Sequence, residues 1–233
     1  CSLYENVWKR KARTAAAQDL VEKRAEVLFQ VTPAPPSATP MHERVERTSW
    51  GVGPAYESAK AFVRESLGRS PAAPMASGTR IGIPRALTTH SLFPLYSTFF
   101  SRIGMDVMLS DVDPRGDLSS HSGFCFPAQI AHGAVLDLVK KGVGLIFIPH
   151  VVRMPHPNQC KDSYLCPITQ AGPYFLAKAF PDRRLLSPVL EFIDGYETCS
   201  ALVDMAVAEL GVGRELAVSA WEAAVQAQTD AER

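Results

Sequence analysis

Short apolar runs alternate along residues 79–196 with stretches whose apolar positions recur at helical spacing. A run of four to eight apolar residues between Gly, Pro or polar residues is typical of a buried strand, whereas an i, i+3, i+4, i+7 recurrence is typical of an amphipathic helix. The strands predicted in this way cover residues 80–84, 106–110, 143–148 and 184–190. The predicted helices begin at Thr88 or Thr89, cover residues 128–140 and cover residues 171–180.

The order of these elements predicts an α/β fold with an open, mostly parallel, Rossmann-like sheet. A strand that is followed by a helix and by another strand forms a right-handed crossover, which makes the two strands parallel. The unbroken apolar character of residues 143–148 indicates burial on both faces, as in parallel sheets. Residues 149–167 are predicted to be one long loop that precedes the last helix of the sheet region.

Both ends of the chain are predicted to be helical. Residues 2–29 and 54–67 have the composition of helices, and the Pro-rich stretches 32–40 and 70–74 are predicted to be linkers because proline breaks helices. Such an arm has too little apolar surface to fold alone, so its helices are expected to pack on the α/β body or on a partner. Two further helices are predicted at 201–210 and 214–228. The predicted regions are thus a helical N-terminal arm with Pro-rich linkers (1–78), a Rossmann-like α/β domain (79–196) and C-terminal helices (197–233).

Composition and charge exclude several classes of protein. The 24 basic and 24 acidic side chains give no net charge, whereas a nucleic-acid binder normally has a basic excess. The sequence has neither an apolar run of about 18 residues nor a signal peptide. We therefore expect a cytoplasmic protein that binds neither nucleic acid nor membranes. Five cysteines, an odd number, do not suggest a set of disulfides, and in a reducing cytosol they favour metal binding or catalysis.

Three of the cysteines, Cys125, Cys160 and Cys166, fall on loops that the predicted sheet would bring to its carboxyl edge, where ligands of open α/β sheets bind. Thiolates on converging loops suit an iron–sulfur cluster. Three such ligands would leave one iron open as a Lewis acid toward a substrate oxygen. Zinc is the alternative metal, since the same thiolates with His150 or His156 could form a tetrahedral site. A third interpretation is that these are unrelated buried thiols.

Three other residues are candidates for binding a cofactor at the same edge. Arg85, directly after the first strand, is suited to a phosphate or a carboxylate, although a surface ion pair would explain it equally well. Gln129 and His132 lie three positions apart near the start of the helix that follows Cys125. They are predicted to face the edge, with a hydrogen-bonded core position as the alternative for His132. The sequence has no Walker A motif, no Gly-x-Ser-x-Gly motif and no His-Glu-x-x-His motif.

Four stretches, in order, carry a resemblance to a known family. They are Ile81–Leu87, then Leu92–Leu95 with Phe99, Phe100 and Gly104, then Cys125–Gln129 with His132 and Gly133, then Cys166–Ile168 after Tyr164. From about residue 79 to 190 the chain resembles the 2-hydroxyacyl-CoA dehydratase-like domain of acyl-CoA dehydratase activase-related proteins. These proteins are also known as CoA-substrate-specific enzyme activases.

The resemblance implies a cytoplasmic iron–sulfur protein of anaerobic metabolism. In the related dehydratases a 4Fe-4S cluster lies between Rossmann-like domains, and water leaves a 2-hydroxyacyl-CoA through a ketyl radical after one-electron reduction by an ATP-driven activator. The resemblance implies that Cys125, Cys160 and Cys166 are the cluster ligands, with Cys160 matched only by its position in the loop. The activator's ATPase module and a recognisable CoA pocket are absent from the sequence, so we do not expect this chain to hydrolyse ATP.

The expected role is that of a piece of an acyl-CoA dehydratase, which is a lyase, or of a dehydratase activase. It would serve low-potential electron transfer or the reductive dehydration of an acyl-CoA. Because the chain begins at Cys1, its expected partners are other modules of a larger polypeptide or dehydratase and activator subunits. The alternatives are a non-catalytic scaffold and a zinc-binding module of a larger multidomain protein.

Overall fold

The computed structural model describes residues 27–30, 78–111, 125–156 and 163–233. The helices in this part are α1 (Thr89–Arg102), α2 (Phe126–Lys140), α3 (Pro167–Ala179), α4 (Ala201–Leu210) and α5 (Arg214–Ala231), with a 3₁₀ turn at Tyr196–Thr198. The strands are β1 (Arg80–Ile83), β2 (Asp106–Leu109), β3 (Leu145–Phe147), β4 (His150–Arg153), β5 (Arg184–Leu186) and β6 (Val189–Glu191). Both predicted linkers, the helix predicted at 54–67 and nearly all of that at 2–29 lie outside the described residues.

Four strands form one parallel sheet in the order β2-β1-β3-β5. Every strand predicted from the sequence contributes to this sheet, so the prediction of an open, parallel α/β fold is confirmed. From β1 the chain crosses to β2 on one side, and it then returns to β3 on the other side of β1. The strand order therefore reverses between β1 and β3.

Each face of the sheet carries its own apolar core, because successive side chains of a strand point to opposite faces. Ile81, Phe147 and Leu186 pack into a core to which α1, α4 and α5 contribute. Ile146 and Leu185 pack into a second core with α2 and α3. Helices thus cover both faces of the sheet. Within the described residues, none of the helices combines the length and the apolar character that crossing a membrane requires.

The prediction of one loop over residues 149–167 is wrong, because the structure has β4 in this segment. β4 pairs in parallel with β6 as a second, two-stranded sheet. Proline lacks the N–H that a strand ladder needs. Pro149 lies between β3 and β4, and Pro188 divides the predicted strand at 184–190 into β5 and β6. The pairing nevertheless continues, since Ile148 donates to the Leu186 carbonyl and His150 donates to the Pro188 carbonyl, both at 2.9 Å.

Two helices begin earlier than predicted. α2 begins at Phe126 and α3 at Pro167, ahead of the predicted starts at residues 128 and 171. Each has a proline in its first two positions, which a helix tolerates because the N–H groups of the first turn have no partner within the helix. These starts place Cys125 and Cys166 at the N-cap positions of α2 and α3.

Candidate functional site

A small crevice lies where the strand order reverses, between the carboxyl ends of β1 and β3. Open α/β sheets bind ligands at this place because the loops on either side lead to opposite faces of the sheet. The crevice has a volume of about 20 Å³, which is room for a water molecule and far less than an acyl-CoA needs. Its lining comes from the turn after β1, the first residue of α1, the end of β3 and the helices α2 and α3. It consists of Pro84, Ala86, Leu87, Thr88, Thr89, Ala131, Phe147, Ile148, Pro149, Thr169 and Leu176.

The turn between β1 and α1 is held in a strained conformation. Leu87 has a φ of 52°, a left-handed backbone that costs a non-glycine residue about 1–2 kcal/mol. Its side chain reaches α3, where Cδ1 lies 3.0 Å from the position of a Cβ built on Gly172. The other side of the turn is fixed by the backbone N–H of Arg85, which donates a hydrogen bond to Ser110 Oγ at 2.8 Å. Strained backbone that tertiary contacts hold in place is concentrated at functional sites. The turn therefore supports the carboxyl edge of the sheet as the candidate functional site.

Arg85 lies beneath an aromatic ring. Its guanidinium carbon is 4.5 Å from the centroid of the Phe29 ring, a cation–π contact with the described part of the N-terminal arm. Among the described residues, the partner seen for the Arg85 guanidinium is therefore an aromatic ring and not the carboxylate of a surface ion pair. The role of Arg85 in binding a phosphate or carboxylate stays a prediction.

Cys125 and Cys166 occupy equivalent positions. Both are exposed free cysteines, and each precedes the first residue of its helix. The Cys125 carbonyl accepts the Ala128 N–H at 3.0 Å, and the Cys166 carbonyl accepts the Gln170 N–H at 3.1 Å, as N-cap carbonyls do. Unpaired N–H groups and the helix dipole make such positions favourable for anionic groups, and the thiolates that ligate metals are anionic.

The helices α2 and α3 lie side by side on the same face of the sheet. The rings of His132 in α2 and Phe175 in α3 are stacked, with centroids 5.3 Å apart and planes 9° apart. With a rise of about 1.5 Å per residue, Cys125 lies about 10 Å and Cys166 about 13 Å from this stack along their helices. Neighbouring helix axes are about 8–10 Å apart. The fold therefore brings two of the predicted ligands to one edge of one face.

Cys160 lies outside the described residues, but the residues that flank its segment are held together. Met154 donates its N–H to the Ser163 carbonyl at 3.3 Å, and Ser163 Oγ donates to the Met154 carbonyl at 2.8 Å. In the parts of the chain that the structure describes, no three His, Cys, Asp or Glu side chains are grouped to hold a metal. A three-ligand site on Cys125 and Cys166 therefore needs a ligand from outside those parts.

His132 is a buried, hydrogen-bonded residue. Its Nδ1 lies 3.0 Å from the Ala128 carbonyl oxygen, and because a carbonyl only accepts, Nδ1 is the donor of this hydrogen bond. Gln129 is half-buried in the first turn of the same helix. The surroundings of His132 fit the alternative of a core position, and cofactor binding by Gln129 and His132 stays a prediction.

Sequence reasoning missed a polar cluster on β4 because this segment was predicted to be a loop. Arg153 forms an ion pair with Glu191 of β6, and its guanidinium carbon lies 5.0 Å from the centroid of the Tyr164 ring. At the start of β4, His150 Nδ1 lies 3.2 Å from the Tyr174 hydroxyl. The available signal was the pair of β-branched valines in the middle of β4, which favours a strand.

The comparison with protein families identifies the family to which the chain belongs. The model of the CoA enzyme activase uncharacterised domain (DUF2229) matches residues 80–233, about two thirds of the sequence. The chain belongs to this family. Searches of curated proteins and of solved structures found no match to this activase-family chain. The activase-related part of the resemblance is thus confirmed, and the matched region extends beyond residue 190 to include α4 and α5.

Proposed function

We propose that this activase-family domain holds an iron–sulfur cluster of the 4Fe-4S type on Cys125, Cys160 and Cys166. The observation that carries the proposal is the position of Cys125 and Cys166, exposed at the starts of two neighbouring helices. Such a cluster supplies one-electron chemistry and, with three thiolate ligands, an iron that is open to a substrate oxygen. The proposed role is low-potential electron transfer or the reductive dehydration of an acyl-CoA.

The chain's own contribution is to hold the thiol groups in place. On the β4 side of Cys166, Leu165 donates its N–H to the Val152 carbonyl at 2.9 Å. From within α3, Gln170 Nε2 donates to the Leu165 carbonyl at 2.7 Å. The backbone next to Cys166 is thereby tied both to a strand and to a helix, which is the kind of support that a preorganised ligand needs.

An acyl-CoA would bind in part to a partner. The crevice next to β1 and β3 is about 20 Å³ in volume, so it cannot enclose a thioester and its nucleotide. We infer that dehydratase or activator subunits, or other modules of a longer polypeptide, complete the acyl-CoA site. A reducing cytoplasm is the proposed location, because free thiols persist there.

Anaerobic reconstitution with iron and sulfide tests the cluster. The wild-type chain should turn brown and hold iron and acid-labile sulfide, whereas Cys125→Ser, Cys160→Ser and Cys166→Ser should each lose most of both. Cys199→Ser is the control, because Cys199 is buried in the core with 8% of its surface exposed. Far-UV circular dichroism checks that each variant is folded.

Two results would contradict the proposal. One is a folded wild-type chain that stays free of iron after reconstitution. The other is full iron content in both Cys125→Ser and Cys166→Ser. For an iron-free chain, zinc analysis decides between the alternatives, because stoichiometric zinc favours a zinc-binding module and its absence favours a scaffold.

A further inference from the structure

One hydrogen-bond donor of Arg85 is buried and lacks an acceptor in the part of the chain that the structure describes. Within the described residues, its Nε is inaccessible to solvent and has no hydrogen-bond partner. A buried N–H of a charged group is costly to leave unpaired, and native proteins rarely do so without a functional reason. The residue stands at the carboxyl end of β1, where ligands of this fold class bind.

The group that covers Arg85 comes from outside the family domain. The Phe29 ring, 4.5 Å from the guanidinium carbon, also packs edge-on against His90 at 5.6 Å and against Phe93 at 5.1 Å. The family match begins at residue 80, so the domain itself supplies Arg85, His90 and Phe93, and the preceding segment supplies the cover.

We propose that Arg85 forms an oxyanion subsite, which takes a phosphate or carboxylate group of a ligand, and that Phe29 competes with this group for the guanidinium. A guanidinium presents a planar set of donors that fits both oxyanions in a bidentate manner. The hydrogen bond from the backbone N–H of Arg85 to Ser110 Oγ fixes the backbone from which the Arg85 side chain extends. The subsite does not depend on the proposed cluster.

Calorimetric titration of the full, cluster-free chain with inorganic phosphate at constant ionic strength tests the subsite. Phe29→Ala should tighten phosphate binding about two- to fivefold, because the competing cation–π contact is lost. In that background, Arg85→Gln should weaken binding about tenfold or more. The first control is Val27→Ala, because Val27 is 69% exposed and lies two residues before Phe29. The second is Arg80→Gln, which removes an exposed arginine at the opposite end of β1 that pairs with Asp106. Neither should change the affinity.

A parallel titration with acetate separates the two oxyanions, and saturable binding of either one that depends on Arg85 supports the subsite. Arg85→Lys, which keeps the charge without the bidentate geometry, should bind with intermediate affinity and guards against a folding defect in Arg85→Gln. The proposal is overturned if folded Phe29→Ala binds neither anion, if Arg85→Gln binds as well as its parent, or if Phe29→Ala weakens binding. Because the protein is free of iron, these results stand apart from the fate of the cluster proposal.

Discussion

The side-chain oxygen of Gln228, a buried residue of α5, lies 3.3 Å from the backbone nitrogen of Leu95 in α1 and accepts its N–H. The amide nitrogen of the same side chain donates to the Ser91 carbonyl at 2.9 Å. In a regular α-helix these two backbone groups bond to each other, but α1 contains Pro94, whose ring crowds the preceding turn. One carboxamide thus serves both groups where the helix is interrupted.

Replacing Gln228 by leucine should lower the free energy of unfolding by about 2 kcal/mol or more, because a buried N–H and a buried carbonyl lose their partner. Urea denaturation measures the change. Gln226→Leu is the matched control, since Gln226 is exposed on the same helix and bonds only to Asp230 among the described contacts. It should change the unfolding free energy by less than about 0.5 kcal/mol, and equal effects of the two variants would contradict the prediction.

Gly82 allows α2 to approach the sheet closely. A Cβ at this position would lie 2.9 Å from Leu138 Cδ1 and 3.0 Å from Val143 Cγ1. Gly82→Ala should therefore lower the unfolding free energy by about 1–3 kcal/mol through overpacking. Gly144→Ala, where a Cβ would have no atom within 4 Å, should have little effect. Adding Leu138→Ala to Gly82→Ala should cost less than the sum of the two single changes, and strict additivity would argue against the clash.

The described cysteines should differ in reactivity. Burial raises the pKa of the Cys199 thiol, and only the thiolate attacks alkylating reagents. In the native, cluster-free protein at mildly alkaline pH, iodoacetamide should label the exposed Cys125 and Cys166 and leave Cys199 unmodified. Mass spectrometry of the peptides measures the labelling, and urea should remove the protection. Native labelling of Cys199 at the rate of Cys125 would show that the core around it is open.

Buried tyrosines should make the fold sensitive to alkali. Tyr96 is fully buried, its hydroxyl has no hydrogen-bond partner in the described part of the chain, and burial raises its pKa. Burial and the contact with Glu232 raise the pKa of Tyr196. In the unfolded chain both ionise near pH 10. The stability that these neutral hydroxyls provide is present below about pH 10 and is lost as the pH rises further, because unfolding then releases protons.

The variant Tyr96→Phe should move the alkaline unfolding transition to higher pH. At neutral pH it should change the unfolding free energy by less than about 1 kcal/mol, since no described residue lies within hydrogen-bond distance of the hydroxyl in a suitable geometry. Circular dichroism followed against pH measures both. Tyr174→Phe is the control, because Tyr174 is 64% exposed and the change removes no buried hydroxyl. An unchanged transition in Tyr96→Phe would contradict the assignment.

The strands of the main sheet could be predicted because each is a short apolar run that ends at a breaker, as at Ile83 before Pro84. The same rule failed at β4, where Pro149 suggested the end of a strand although pairing resumes one residue later. It also failed at the starts of α2 and α3, where prolines in the first turn were interpreted as loop residues. Proline is favoured at a helix start and disfavoured inside a strand. Its effect can therefore be predicted only when the flanking elements are known.

The rest of the candidate site depends on contacts between distant parts of the chain. The Phe29 ring on Arg85 joins residues from the arm and from the first strand turn, and no periodic pattern links the two. The left-handed backbone of Leu87 was not predictable either, since leucine rarely adopts it without tertiary contacts. The cysteines were identified as candidates from their loops, whereas their equivalent positions on two neighbouring helices emerged only from the structure.

The continuation of β3 and β5 into β4 and β6 gives the carboxyl edge an uneven profile. β1 and β2 stop at Ile83 and Leu109, whereas on the other half β4 and β6 extend the pairing to Arg153 and Glu191, beyond the ends of β3 and β5. Arg85 and the strained turn lie on the low half, and Cys166 lies beside the high half. A partner that covers the whole edge must therefore itself be stepped in shape, reaching further down over the half that carries Arg85 and Phe29.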